Sequence, residues 1–192
     1  WTHSRKYTNS STIHSSIFLE THSIMSNFFI LGLPRSRTAW LANFLTFDGN
    51  FCYHEGLDGC YTIEEYKDKL GKNKGDSNTG LMMIDFENTF PNSKVIIIDS
   101  TVTNAVKFTK NVYGTDIKEL MLKAKERLDS MKGLHIRIED INDSLKKIWE
   151  YVSTKPFNKE RADMLVKLNI QVDNPYDFDK EAMKKFIGEN YV

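Results

Sequence analysis

Seven consecutive residues, Gly32-Leu33-Pro34-Arg35-Ser36-Arg37-Thr38, follow a short apolar run and open a helical pattern. A strand that turns directly into a helix aims several main-chain N–H groups, and the positive end of the helix, at one spot, which suits an anion. Arg35 adds a guanidinium that contacts two phosphate or sulfate oxygens at once, and Ser36 and Thr38 add hydroxyl donors. The bland alternative is an ordinary strand-to-helix turn carrying surface arginines. The lysine of the G-x-x-x-x-G-K-[ST] loop is missing, which counts against an ATP-driven kinase.

Other chemistry-bearing residues are weaker signals. Cys52, His54 and Cys60 have no C-x-x-C pair and no fourth ligand at a suitable spacing, so no metal is expected there. Leu81 to Asp85 and Val95 to Asp99 are both apolar runs closing on Asp, the form of a strand that holds a Mg-nucleotide; two occurrences show how cheap the pattern is. Trp40, Phe44 and Trp149 fall at helical positions and are expected in the core rather than stacked on a ligand.

The elements that would position the turn are legible as an alternation of short β-branched or aromatic runs with helical patterns, the mark of a mostly parallel α/β sheet. Strands are predicted at Asn27 to Leu31, Phe51 to Tyr53, Leu81 to Ile84, Lys94 to Ile98 and Leu134 to Ile138. Helices are predicted from Thr38, from Thr62 to Leu70 behind a Thr62/Glu65 capping box, from Thr103 to Tyr113 and from Asp116 to Met131. Further helices are predicted at Ser144 to Val152, Lys159 to Leu168 and Asp179 to Phe186. Gly71 to Gly80, with its glycines, Asn and Asp, reads as a loop, and Phe90-Pro91-Asn92 as a turn. Residues 1–24, rich in Ser, Thr and His without an apolar period, read as an extension outside the core, leaving 25–192 as one domain with Met25 as the natural start.

Leu33 to Trp40 resembles the 5′-phosphosulfate loop of the PAPS-dependent sulfotransferases, whose pattern is Pro, Lys or Arg, Ser, Gly, Thr, Thr and often Trp. Arg37 stands at the usual Gly and Ala39 at the second Thr. Phe90 to Ile98 looks like the family's turn and strand leading to its 3′-phosphate site. Leu134 to Ile141 is similar to its late strand with a Tyr-Glu-Asp-Leu-type motif, and Lys155-Pro156-Phe157 to its Gly-x-Pro-Phe turn. These segments lie in the family's order over residues 27–168, as in a compact member of the phage and environmental type. Where the family holds the 3′-phosphate with an Arg and a following Ser, this chain has Asp99 and Lys107. The resemblance implies a three-layer P-loop-containing nucleotide triphosphate hydrolase-like fold with a parallel central sheet of about four or five strands, its ligand at their carboxyl ends.

It further implies sulfuryl transfer from PAPS to a hydroxyl or amine of a small molecule or carbohydrate, with 3′,5′-ADP as product and no metal. Pro34, Arg35, Ser36, Arg37, Thr38 and Ala39 would form the donor loop, with Lys107 a 3′-side contact. In the family's carbohydrate-acting branch a Lys-Glu pair downstream of the loop supplies the base, and His54-Glu55 falls at its place. Glu55 is the first choice, with His54 its orienting partner or, from an ordinary pKa near 6.5, the base itself. A solvent-facing polar strand end remains the rival reading of that pair. A non-catalytic nucleotide-binding module and a Mg-dependent nucleotide kinase-like enzyme using Asp99 remain alternatives for the whole.

Charge and composition narrow the partners. Lys plus Arg number 26 and Asp plus Glu number 26, so no net field draws a polyanion, and nucleic acid is not expected. The longest apolar runs fall far short of the roughly 20 residues of a membrane span, so no membrane partner is expected. Two cysteines make no disulfide framework, and the expected setting is a reducing cytoplasm. Nothing in the sequence fixes the oligomeric state.

Overall fold

The computed structural model describes residues 26–47, 50–114 and 117–167. The extension 1–24, Met25, the predicted helix start Asp116 and the predicted helix Asp179 to Phe186 lie outside them.

In chain order the elements are β1 (Phe28–Gly32), α1 (Thr38–Leu45), β2 (Cys52–His54), α2 (Ile63–Leu70), β3 (Gly75–Asn78), α3 (Phe86–Thr89) and β4 (Lys94–Asp99). They continue with α4 (Val102–Tyr113), α5 (Lys118–Ser130), β5 (Leu134–Arg137), α6 (Leu145–Val152) and α7 (Lys159–Val166). The strands form one parallel sheet in the order β2-β3-β1-β4-β5. Parallel neighbours require crossovers, and the helices supplying them cover both faces.

The strands' side-chain period of two sorts the core into two halves. Phe28, Ile30, Ile96, Ile98 and Ile136 pack against Trp40, Leu41 and Phe44 of α1, Leu145, Ile148 and Trp149 of α6, and Leu165 of α7. Phe29, Leu31, Val95 and Ile97 meet Tyr66 of α2, Phe86 of α3, Ala105 of α4 and Met121, Ala124 and Leu128 of α5. The result is helix, sheet, helix, as expected for the three-layer α/β class. Trp40, Phe44 and Trp149 are buried, with Trp40 stacked on Phe44 at 5.5 Å and Phe44 edge-on to Trp149 at 6.0 Å.

Local signals mark several boundaries. The Thr62 hydroxyl accepts from Glu65 N (3.1 Å) and the Glu65 carboxylate accepts from Thr62 N (3.3 Å), the reciprocal cap read from the sequence. Helix α3 stops at Thr89, just before Pro91, and Asn92 closes the turn with φ 67°.

Two expectations are corrected. Gly71 to Gly80 is not one loop: it contains β3, a strand lying between β1 and β2. Leu81 to Ile84 is not a strand but a 3₁₀ turn, Leu81–Met83, with Ile84 beyond it. The apolar run was the wrong guide because Leu81 and Met82 bury themselves against one face from a turn, whereas Gly75-Asp76-Ser77-Asn78 enters the sheet with no apolar side chain at all. Asp76, Ser77 and Asn78 are buried, and each finds hydrogen-bond partners inside the protein, which is the condition for burying them. Gly75 is required by contact: a Cβ built there would lie 2.1 Å from the Phe28 ring. The Phe28 ring fills the space that a side chain at position 75 would occupy.

Gly75→Ala should therefore destabilise the protein by about 1–3 kcal/mol, the usual cost of overpacking a closed core. Denaturant unfolding of the two proteins, compared at constant m-value, measures it.

Candidate functional site

The turn that links β1 to α1 crosses the carboxyl edge of the sheet. Arg35 and Arg37 both adopt left-handed backbone, at φ 70° and 58°, while Ser36 between them does not. Alternating the hand in this way brings successive N–H groups round to one side and forms a concave nest for an anion. Among the described residues, none accepts a hydrogen bond from the main-chain N–H of residues 35–40. Left-handed backbone costs a residue with a side chain about 1 kcal/mol or more. At Arg37, where a glycine would sit at lower cost, the side chain offsets part of this. Its guanidinium lies 4.5 Å from the Trp40 ring centroid and donates to Asn142 Oδ1 at 2.7 Å.

Three strands fasten the turn. It continues β1 directly. From the end of β4, Ser100 places its hydroxyl 2.6 Å from that of Ser36, and both are buried. From β3, the Ser77 hydroxyl donates to Thr38 O at 2.9 Å. The Ser36 hydroxyl thus faces Ser100 in the interior, and Thr38 is buried too, so the outward face of the turn is made by main-chain N–H groups and by Arg35. Pro34 and Ala39 are half-buried on either side. The Arg35 guanidinium is exposed and stands 5.3 Å from the Phe108 ring centroid on α4. Lys107, next to Phe108, is exposed on that helix.

His54 and Glu55 stand at the end of β2. Glu55 has left-handed backbone, φ 52°, and its N–H donates to Ser77 O at 2.9 Å. Ser77 therefore bonds both to the turn, through its hydroxyl, and to Glu55, through its carbonyl. Its burial brings the two sequence-predicted groups to the same edge of the sheet. The Glu55 carboxylate accepts from Thr79 N (3.2 and 3.3 Å) and Thr79 Oγ1 (3.0 Å). Below the turn that carries Glu55, buried Asp76 accepts from Gly56 N (3.0 Å), Tyr66 Oη (2.6 Å) and Asn78 Nδ2 (3.2 Å).

Burial governs the protonation of this cluster. It pushes the Glu55 carboxyl up to about 7, helped by the nearby charges of Asp76 and Asp58, while the Thr79 hydrogen bonds pull the other way. The same burial lowers His54 below its ordinary 6.5, against the pull of Asp76 and Asp58. His54 Nε2 lies 3.9 Å from Glu55 Oε1. A neutral imidazole beside a carboxyl poised at neutrality is a pair suited to moving one proton. Burial, then the carboxylate of Asp76, also raises the Cys52 thiol well above its usual range, which keeps it a protonated core residue.

The carboxylate of Asp99, at the end of β4, is met within the protein by His135 Nδ1 at 3.5 Å and Lys125 Nζ at 3.8 Å. Lys107 is not among the cations that meet it. Sequence reading missed Asp76, Ser77, Thr79 and Ser100. The available signal was four consecutive hydrogen-bonding side chains, Asp76 to Thr79, in a stretch that composition alone assigns to a loop.

No family model matches the chain, and no curated protein sequence does. Among solved structures, the mouse sulfotransferase SULT7A1, crystallised with PAP, superposes with a TM-score of 0.52 at 16% identity, covering 72% of this chain. The match takes in 63% of the mouse chain, so this chain spans less than two thirds of that protein's length. The likeness establishes a sulfotransferase-like α/β fold. Among the described residues, no helix is long and apolar enough to cross a membrane.

A carboxyl whose pKa is raised on folding stabilises the protein relative to an ordinary one only while it is protonated; the benefit is complete below about 4.5 and is lost as pH rises through about 7. Glu55→Gln, which stays neutral, should gain up to roughly 3 kcal/mol relative to wild type between pH 4.5 and pH 8. Denaturant unfolding of both proteins across that range checks the sign: the gap must open with rising pH.

Proposed function

We propose that the protein transfers a sulfuryl group from PAPS to a hydroxyl or amine of a small-molecule or carbohydrate acceptor. The observation that carries this reading is the left-handed turn at Arg35 and Arg37, whose N–H groups 35–40 have no acceptor among the described residues. It sits in a fold like that of a sulfotransferase crystallised with PAP.

In this reading the main-chain N–H groups of the turn and the Arg35 guanidinium hold the 5′-phosphosulfate and stabilise the charge that gathers on the bridging oxygen. Ser36, Thr38, Pro34 and Ala39 shape the turn, and Arg37 locks it through Trp40 and Asn142. Lys107, exposed on α4, would supply the contact to the 3′ side of the nucleotide. The acceptor's oxygen or nitrogen forms a bond to sulfur while the bond from sulfur to the phosphate oxygen breaks, its electron pair leaving on the phosphate of 3′,5′-ADP. Glu55, ionised above about 7, takes the acceptor's proton, with neutral His54 beside it. No metal enters the scheme.

Two outcomes test it. Addition of 3′,5′-ADP at about a hundred times its Kd should raise stability by about 2.7 kcal/mol, read as a rise in melting temperature. Arg35→Ala should abolish that rise. No shift for the unaltered protein at millimolar ligand would remove the donor site. With labelled PAPS and a panel of acceptors, the rate should climb with pH through about 7, and Glu55→Gln should lower kcat by about 10²–10⁴ with little change in donor affinity.

A further inference from the structure

Glu55 stands on left-handed backbone one residue past a three-residue edge strand, and its bond to Ser77 O fixes its main chain but not its carboxylate. What fixes it is Thr79, 24 residues later and one residue past the end of β3. Thr79 N reaches both carboxylate oxygens, at 3.2 and 3.3 Å, and its hydroxyl reaches Oε1 at 3.0 Å. The clamp is itself anchored. Next to Thr79, Asn78 accepts from Gly80 N and Leu81 N at 2.7 and 3.2 Å, which folds the chain back at the strand's end and holds Thr79 in place.

We propose that Thr79 is a positioning residue of the site, clamping the Glu55 carboxylate in the orientation and charge state from which it takes the acceptor's proton. The inference rests on the assignment of Glu55 as the base. Thr79 exchanges no proton: it donates two hydrogen bonds that favour the charged carboxylate. Among the described residues, the other influences on Glu55 oppose that charge. Burial and the carboxylates of Asp76 (β3) and Asp58 (its own turn) favour the protonated acid, and His54 of β2 is the adjacent imidazole. Tyr66 of α2 is engaged with Asp76 rather than with Glu55. The balance between the clamp and these groups is what leaves the carboxyl poised near neutrality.

The test is a ¹³C NMR titration of the Glu55 side-chain carboxyl in the full chain, for wild type, Thr79→Val, Thr79→Ser and Asp58→Asn. Valine keeps the shape and the main-chain donor but loses the hydroxyl, so its midpoint should rise; serine should restore the wild-type midpoint; Asp58→Asn, an exposed change, should move it down. A Thr79→Val midpoint equal to or below that of wild type overturns the proposal. With PAPS and an acceptor, kcat at pH 7 should fall about tenfold in Thr79→Val, recover in Thr79→Ser, and follow the NMR midpoints in its pH profile, with KM for the donor unchanged. NMR midpoints that move while the pH–rate profile stays fixed would overturn the base assignment, and with it the catalytic part of the role, while leaving the clamp itself in place. That outcome is distinct from failure of 3′,5′-ADP to bind, which concerns the turn alone.

Discussion

The site depends on one buried serine. Ser77 accepts from Glu55 N through its carbonyl and donates to Thr38 O through its hydroxyl, each at 2.9 Å, so a single residue of β3 ties the candidate base to the anion turn. It does so from the interior of the sheet, where an unpaired polar group would cost about 1–3 kcal/mol. That cost makes the arrangement cooperative. The polar side chains of β3 are tolerable only because each finds a partner, and two of those partners, Thr38 O for Ser77 and Gly56 N for Asp76, lie in or beside the two turns of the candidate site. Loosening either turn would strand a donor or acceptor in the core.

The turn between β1 and α1 follows another constraint. With equal numbers of basic and acidic residues, the chain has no general field for anions, so any attraction of one to this turn would have to come from local dipoles. Backbone N–H groups converge only if the chain alternates its hand, and here two arginines rather than glycines take the left-handed positions. Arg37 meets its cost by stacking on Trp40 and bonding to Asn142, which binds the turn to the segment after β5. Arg35 keeps its guanidinium at the surface beside Phe108. Two neighbouring arginines of one motif thus serve different ends, one structural and one facing solvent.

Burial acts on the titrating pair in opposite directions. It raises an acid and lowers a base, since in both cases the neutral form is the one that tolerates a low dielectric. Glu55 and His54, adjacent in the chain, thereby exchange their usual order: Glu55 rises from 4.5 to about 7 while His54 falls below its ordinary 6.5. Neither Arg35 nor Lys107 contributes to the Glu55 shift; its causes are burial, Thr79 just past β3, Asp76 on β3 and Asp58 in the turn after β2.

Much of the architecture could be read from the sequence because its signals are short in range. The apolar runs of β1 and β4, the Thr62/Glu65 cap, the helical period of α1 and α6 and the turn at Phe90 to Asn92 all act within a few residues, and all appear in the structure, whereas the short helix α3 before that turn was not foreseen. The turn at Gly32 to Thr38 and the pair His54-Glu55 were visible for the same reason: their residue types and order announce them. What the chain alone withheld was β3, misread as loop, and with it Asp76, Ser77 and Thr79; the Leu81 to Ile84 run was misread as strand. A polar segment becomes a buried strand only when partners 20 to 39 residues away, Gly56 N and Thr38 O among them, arrive to satisfy it. Residue types thus determined which groups could bind an anion or carry a proton. Tertiary structure decided which hydroxyls face inward and how far the Glu55 carboxyl departs from an ordinary one, because hydrogen-bond pairing and desolvation are properties of neighbours that only folding supplies.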